Sequence, residues 1–238
     1  MLNAPRSRIN MENQTSNFTI QWVKEETPKM RLICLNGDGV WSFIPGQIAV
    51  LAIKEIGESY FAIASAPEDK YGMEFIVKEG RGVAAALFEK KKGDEVQGKG
   101  PVGKGFPIDQ YHGRDLILAA VGSAISPMRS VLRSVCYRRA DFGKVQLVYG
   151  VRHPGDFPLL DEMKEWEKTG IELILVVSQP ELEKWQGKTG HVQLHFREAV
   201  KALNQPVAMI CGMKEMMEQS RDELIRLGIN RDEILTNY

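Results

Sequence analysis

Residues 115–130 have the sequence DLILAAVGSAISPMRS, and this stretch decides the fold. The unbroken apolar run from Leu116 to Val121 predicts a strand that is buried on both faces, as parallel strands are. The run stops at Gly122, and Pro127 stands where the first turn of a helix tolerates proline. The small residues between them let the backbone approach an anion, which a helix N-terminus favours. On these residues alone, a dinucleotide phosphate loop and an ordinary strand-to-helix turn are equally good interpretations.

The chain after about residue 113 continues this alternation. Its apolar runs are DLILAAVG, KVQLVYGV, IELILVVS, VAMICG and EILTNY, and helical stretches lie between them. Near-continuous apolar strands separated by helices predict a five-stranded, doubly wound parallel sheet. Ligands bind such sheets at the carboxyl ends of the strands. Site residues are therefore expected just after the strands, at 122–124, 151–152, 178–179 and 211–213.

The front part of the chain, residues 15–110, is predicted to be β structure. Short apolar runs recur at 18–23, 30–35, 47–53, 60–64 and 73–77, and turn residues such as Pro45-Gly46 separate them. Strands at this spacing predict an antiparallel six-stranded barrel. One helix interrupts them from Val83, where a run of alanines favours a helix. Residues 1–14 are polar and predict a flexible tail, and residues 111–238 form the α/β part.

The composition excludes several classes of protein. Lys plus Arg and Asp plus Glu each count 31 in 238 residues, so nothing suggests a general binder of nucleic acid or membrane surfaces. Three distant cysteines exclude a disulfide framework and a four-thiolate site. No membrane span is expected, since no apolar run is long enough, and no metal site is expected. A cytoplasmic location is predicted, with a plastid as the alternative if a transit peptide has been removed.

Residues 98–103, GKGPVG, match the dinucleotide pattern G-x-G-x-x-G. The pattern works only where its glycines open a helix, so that the helix N-terminus meets a pyrophosphate. Pro101, Gly105 and Pro107 prevent a helix from beginning here. Our interpretation is a loop that closes the barrel.

Cys211 follows the fourth strand of the predicted sheet, and Gly212 lets the chain turn sharply after it. The position suits a ligand contact. A free thiol is more often buried and structural, and on position alone this is the slightly better interpretation.

Seven short motifs, taken together, resemble those of the ferredoxin–NADP reductase superfamily in order and spacing. They are FIPGQ (43–47), YFAIAS (60–65), KGD through GPVG (92–103), GSAISPMRS (122–130), YGVR (149–152), SQP with WQGKTGHV (178–180 and 185–192), and CGMKEMM (211–217). Each motif is moderately specific, and the resemblance runs from about residue 15 to the last residue. It implies a barrel that binds FAD and an α/β part that binds NADP or NAD.

The resemblance also implies which residues bind each group. The flavin would contact Tyr60, Phe61, Ala62, Ile63, Ala64 and Ser65, and its pyrophosphate would contact Gly80, Gly82, Val83 and Ala84. The nicotinamide dinucleotide would contact Gly122, Ser123, Ala124, Ile125, Pro127 and Met128, with Arg152, Ser178 and Gln179 on the adenosine side. Cys211, with Gly212, Met213 and Met216, would lie beside the nicotinamide, and Tyr238 would pack on the flavin.

Several positions depart from the family's pattern. Ser59 stands where the family has an Arg, Phe61 where it has a Tyr and Ala62 where it has a Ser. These changes remove a charge-assisted phosphate contact and a hydroxyl near flavin N5. Alanine also replaces a hydroxyl residue after Gly82, and Ala124 replaces a glycine of the nucleotide loop.

The sequence therefore leaves two functions open. The first is a FAD-dependent oxidoreductase that takes a hydride from NAD(P)H and passes electrons to a protein or small-molecule acceptor, with Cys211 and Tyr238 as the catalytic pair. The alternative is a flavin-less NAD(P)-binding or interaction module on the same fold, which the replaced flavin residues favour. Gln179 stands where the family often has Arg, and Arg152 or Lys188 could compensate, so NADP and NAD both stay open.

Overall fold

The computed structural model describes residues 15–37, 41–180 and 185–238, which form two sheets. The predicted tail, residues 1–14, lies outside the described residues. The first sheet comprises β1 (Ser16–Thr27), β2 (Met30–Gly37), β3 (Ile48–Ile53), β4 (Gly57–Ala62), β5 (Met73–Lys78) and β6 (Glu95–Val102), and helix α1 (Val83–Glu89) precedes β6. The strands are antiparallel in the order β4-β3-β6-β1-β2-β5. A bridge between Ile63 and Phe75 joins the two edges, which confirms the predicted six-stranded barrel.

Residues 98–103 lie largely in β6, which pairs with both β1 and β3. The G-x-G-x-x-G segment is thus an interior strand with no helix after it, and the loop interpretation was wrong. The reason is steric. A Cβ on Gly98 would lie 2.9 Å from the Phe18 ring and 3.3 Å from Trp41, so the glycine makes room for aromatic side chains inside the barrel.

The second sheet comprises β7 (Leu116–Val121), β8 (Val145–Val151), β9 (Ile171–Val177), β10 (Lys188–Thr189), β11 (Val207–Cys211) and β12 (Ile234–Leu235). Its helices are α2 (Ile125–Tyr137), α3 (Leu160–Lys168), α4 (Phe196–Lys201) and α5 (Lys214–Arg226). The order is β10-β9-β8-β7-β11-β12, all parallel. The predicted count of five strands is one too few. The missed strand β10 is only two residues long, and both residues are exposed and polar, so the sequence has no apolar run there.

Apolar clusters cover both faces of the second sheet, as the doubly wound prediction requires. Leu118 and Leu147 face α2 and α3, whereas Ile117 and Val148 face α4 and α5. The segment HVQLHFREAVKAL (191–203) is one of the predicted helical stretches, and the i, i+4 spacing of His191 and His195 would place both on one helical face. Its α-helix is shorter than expected. A 3-10 turn spans Val192–His195 and α4 begins only at Phe196, so the two histidines do not share one face of an α-helix.

The barrel and the second sheet share one apolar cluster. Met30, Leu32 and Ile76 of the barrel pack in the same cluster as Met128 and Leu132 of α2. The predicted domain boundary at residue 110 stays a prediction. None of the helices in the described ranges is both long enough and apolar enough to cross a membrane.

Polar contacts reinforce this interface along α2. Arg129, only 2% exposed, donates to the carbonyl of Ala64 at 2.9 Å and forms ion pairs with Glu74 of the barrel and Glu162 of α3. One turn further along α2, Arg133 pairs with Asp69 at 2.6 Å. Burial alone would raise the pKa of Asp69, but its hydrogen bonds with Arg133 and other donors outweigh burial and lower it.

A third contact lies at the far end of the β1–β2 hairpin. The buried carboxylate of Glu26 accepts the backbone N–H of Leu159 at 2.8 Å, and Lys24 pairs with the same carboxylate at 2.8 Å. Leu159 precedes α3 with a φ of 62°, in the left-handed region that a branched side chain seldom adopts. The barrel, through Glu26, therefore stabilises an unfavourable backbone conformation at Leu159, in the loop before α3.

Candidate functional site

The carboxyl ends of β7, β8, β9 and β11 lie side by side along one end of the second sheet, which we call its carboxyl edge. Cys211 is level with Ala120, Gly150 with Val121, and Val151 with Val177. The predicted nucleotide residues that follow these strands therefore lie along the same edge. The sequence placed them correctly relative to the sheet.

The loop after β7 has the geometry of an anion site. Gly122 has a φ of 54°, and a Cβ on it would find no atom within 4 Å. A 3-10 turn follows, and α2 then begins at Ile125 without a side-chain cap and without an acidic residue in its first turn. Pro127 is its third residue, as predicted for a first helical turn. The open space and the uncapped helix end both favour an anionic ligand.

Tyr149, a buried residue of the neighbouring strand β8, holds this loop in place through its hydroxyl. Its hydroxyl donates a hydrogen bond of 2.8 Å to the carbonyl of Gly122. Burial raises the pKa of Tyr149, so the hydroxyl remains protonated and able to donate. We did not predict this role, although a buried tyrosine usually finds a partner for its hydroxyl.

The predicted flavin strand ends beside this loop. The Ser126 hydroxyl, in the first turn of α2, donates to the carbonyl of Ala62 at 2.8 Å. Tyr60 is 71% exposed, whereas Phe61 is half-buried and packs against the barrel core. Neighbouring strand residues face opposite sides of the sheet, so the Tyr60 ring is free for a ligand and the Phe61 ring is only partly available. The Ser65 hydroxyl is buried and accepts the N–H of Glu74 at 3.1 Å, so it is already used within the fold.

The segment predicted for the flavin pyrophosphate lies at the start of α1. Gly82 has a φ of 55° and open space where a Cβ would be. Gly80 is also exposed, whereas the Val83 side chain is buried in the barrel core. The segment offers backbone groups and no side-chain hydroxyl, in keeping with the departures in the sequence.

Cys211 lies at the carboxyl end of β11, where burial raises the pKa of its thiol to about 11. At neutral pH it is therefore a neutral thiol. Its Sγ donates to the Oδ1 of Asn237 at 3.6 Å. The next residue, Gly212, leaves room for a buried methionine, because a Cβ there would lie 2.8 Å from the Met216 sulfur. Met213 is 72% exposed.

Tyr238 follows Asn237, the residue whose side chain accepts the hydrogen bond from the Cys211 thiol. Burial raises the pKa of Tyr238, and Cys211 adds to this rise. Its hydroxyl donates to the sulfur of Met217 at 2.9 Å, and the residue is 55% exposed. The two residues predicted as catalytic are thus linked through Asn237, which binds the Cys211 thiol and directly precedes Tyr238 in the chain.

Several other predicted residues have no side chain available to a ligand. Buried side chains belong to Ile63, Ala64, Ile125, Pro127, Met128 and Met216. Any contact from the first five would come from their backbone, and Met216 packs against Gly212. Asn237 and Ser126 were missed. Neither has a local pattern that marks it, because each acts through a contact distant in sequence.

On the predicted adenosine side, Arg152, Ser178 and Gln179 are all exposed. The N–H of Gln179 donates to the carbonyl of Arg152 at 2.8 Å, which keeps the two strand ends together. Lys188 forms an ion pair of 2.5 Å with Glu198 and is thereby directed toward α4. Of the two basic residues proposed to compensate for Gln179, Arg152 is therefore the better placed.

Comparison with known proteins agrees with this arrangement. The family model for the oxidoreductase NAD-binding domain matches residues 118–222. The gamma subunit of sulfhydrogenase 1 from Pyrococcus furiosus is 30% identical over 198 residues, which cover 82% of this chain and 67% of that subunit. The cytochrome P450 reductase GcoB of Amycolatopsis has a TM-score of 0.86 at 21% identity, covering 99% of this chain and 72% of that one.

A ferredoxin–NADP⁺ reductase from Neisseria gonorrhoeae, solved with bound FAD and NADP, gives a TM-score of 0.78 at 20% identity. The match covers 95% of this chain and 100% of the reductase. The barrel and the parallel sheet thus occur together, in the same order, in a set of oxidoreductases. This chain belongs to the ferredoxin–NADP reductase superfamily of FAD- and NAD-binding oxidoreductases.

Proposed function

We propose that this chain binds FAD and NAD(P)H and transfers a hydride from the reduced nicotinamide to the flavin. The electrons then pass to an acceptor, which is a protein or a small molecule. A cytoplasmic location belongs to the same proposal.

One observation carries the proposal. The end of the predicted flavin strand and the start of the predicted nucleotide helix are joined by the 2.8 Å hydrogen bond from Ser126 to Ala62. Groups bound to the two segments would therefore meet in one cleft. Holding two reactants at contact distance is the main contribution of a protein to hydride transfer between cofactors.

The residues present fit a flavin, although they offer fewer side-chain hydrogen bonds to it than the family pattern does. The open space at Gly82, the exposed ring of Tyr60 and the half-buried ring of Phe61 suit a flat, aromatic dinucleotide. When bound, FAD supplies an acceptor for the hydride, which carries one proton and two electrons away from nicotinamide C4. Cys211 stays a neutral thiol and packs beside the nicotinamide, and the Tyr238 ring excludes water until the nicotinamide displaces it.

The direct test is an absorption spectrum of the purified protein, before and after addition of FAD, and then after NADH or NADPH without oxygen. We expect flavin bands that bleach with at least one nucleotide, which would also identify the preferred coenzyme. A colourless protein that takes up neither FAD nor FMN would contradict the proposal. Retained NAD(P)H binding would then support the flavin-less module, the function that Ser59 and Ala62 favour.

Restoring the family's arginine provides a gain-of-function prediction. Ser59→Arg should lower the Kd for FAD by at least about tenfold, because a hydrogen bond from a charged donor contributes about 1.5–3 kcal/mol. Fluorescence titration of FAD measures the change. The matched control is Gln97→Arg, which adds the same charge at an exposed position of β6. Equal gains in the two variants would mean that net charge, and not a contact at residue 59, causes the effect.

A further inference from the structure

Asn237 connects three separate parts of the chain. It is 2% exposed, and its side-chain Nδ2 donates to the carbonyl of Gly46 at 3.1 Å. Its backbone carbonyl accepts the N–H groups of Lys104 and Gly105 at 3.1 and 3.2 Å. These partners belong to the turn before β3 and to the loop after β6, so Asn237 holds the residues around it against the barrel.

The remaining polar atom of Asn237 points to the site. Its Oδ1 accepts a hydrogen bond from the Cys211 thiol at 3.6 Å. An asparagine side chain has both a donor and an acceptor, and here the donor is used on the barrel and the acceptor on the second sheet. Because the amide is planar, fixing Nδ2 at Gly46 also fixes the direction in which Oδ1 faces the thiol.

We propose that Asn237 is a positioning residue for Cys211. Its carboxamide orients the thiol toward the proposed nicotinamide site. Because the same side chain is bound to Gly46, it also fixes the position of the thiol relative to the barrel. The part of this inference that concerns hydride transfer rests on the proposed function. The part that concerns the thiol does not.

Alkylation of Cys211 in the cofactor-free protein tests the contact itself. Asn237→Ala removes the acceptor, and we expect iodoacetamide to label Cys211 about five- to tenfold faster, which corresponds to the loss of one hydrogen bond of about 1 kcal/mol. Asn237→Asp keeps an acceptor and adds negative character, so labelling should be no faster than in the unchanged protein. Mass spectrometry of the Cys211 peptide reports the rate across pH, with Cys136 as the internal reference.

The different labelling rates expected for the two variants distinguish orientation of the thiol by Oδ1 from a general loss of packing around residue 237. Both variants lose the donor to Gly46, so a purely structural role would accelerate labelling in both. That result, or no acceleration in Asn237→Ala, would overturn the inference. Equal unfolding midpoints in urea would show that each variant is folded.

A double-mutant cycle tests the effect on hydride transfer. In the FAD-loaded protein, Asn237→Ala should slow reduction by NADH or NADPH about tenfold in single-turnover measurements. In a Cys211→Ala background the same change should have little effect, because there is no thiol left to orient. Equal losses in both backgrounds would overturn the inference. A protein that takes up no flavin would contradict the proposed function alone, and the labelling result would still stand for or against Asn237.

Discussion

Replacing Gly122 by Asp should weaken nucleotide binding by at least a hundredfold. Gly122 has a φ of 54°, which costs a residue with a side chain about 1–2 kcal/mol. The new side chain would enter the open space at the N-terminal end of α2, where the pyrophosphate is proposed to bind. Its carboxylate would repel the pyrophosphate and would itself accept the donors of the helix end. The Kd for NADH and NADPH by fluorescence titration measures the loss.

Two controls separate the causes. Gly122→Asn has nearly the same shape without the charge and should lose much less affinity. Gly113→Asp adds the same side chain at a φ of 75° with no atom within 4 Å of its Cβ, but it lies before β7, at the opposite end of the sheet. We expect it to leave the Kd unchanged. If Gly122→Asp binds nucleotide as well as the unchanged protein does, the proposed position of the pyrophosphate is wrong.

Replacing Arg129 by Met should lower the free energy of unfolding by about 3–5 kcal/mol, because it leaves the partly buried carboxylates of Glu74 and Glu162 without their nearest cation. The guanidinium is almost completely buried between Glu74 and Glu162 and also donates to the Ala64 carbonyl. Urea unfolding of the cofactor-free protein, followed by circular dichroism, measures the change.

The variant Arg226→Met gives the matched control. Arg226 pairs with Glu223 at 2.6 Å on the exposed surface of α5, where solvent screens the ion pair and its contribution to stability is small. In addition, changing Glu74 and Glu162 to Gln in the Arg129→Met background should restore part of the stability, since no unpaired charge remains. A loss for Arg129→Met no larger than that for Arg226→Met would contradict the role of the buried cation.

The fold was predictable because its main signals are local. The apolar run from Leu116 to Val121 and the short β runs before residue 80 each mark an element without reference to the rest of the chain. Two errors have the same origin. The strand β10 has too few residues to show a pattern, and the glycines of β6 look like a nucleotide loop until the Phe18 ring beside Gly98 is seen.

The site was predictable as a set of segments and less so as a set of side chains. Motifs place Gly122 and Cys211 on the same sheet edge, and the structure agrees. They do not show that the Ser65 hydroxyl is used within the fold, or that Asn237 contacts the Cys211 thiol. Such contacts join residues far apart in sequence. They depend on how the barrel packs against α2, and the sequence of a single segment cannot predict that packing.

The attachment of the β1–β2 hairpin to α3 has a consequence for motion. Glu26 is bound to Leu159, Arg129 is buried between the sheets and Asn237 is bound to Gly46, so the barrel is fastened at three places in addition to the Ser126 and Arg133 contacts described above. A hinge of the kind that closes many enzymes over their substrates would have to break at least one of them. If the nicotinamide binds as we propose, we therefore expect its admission to need only a local movement of the half-exposed Tyr238 ring, on the fast timescale of surface side chains and not on the slower one of rigid-body closure.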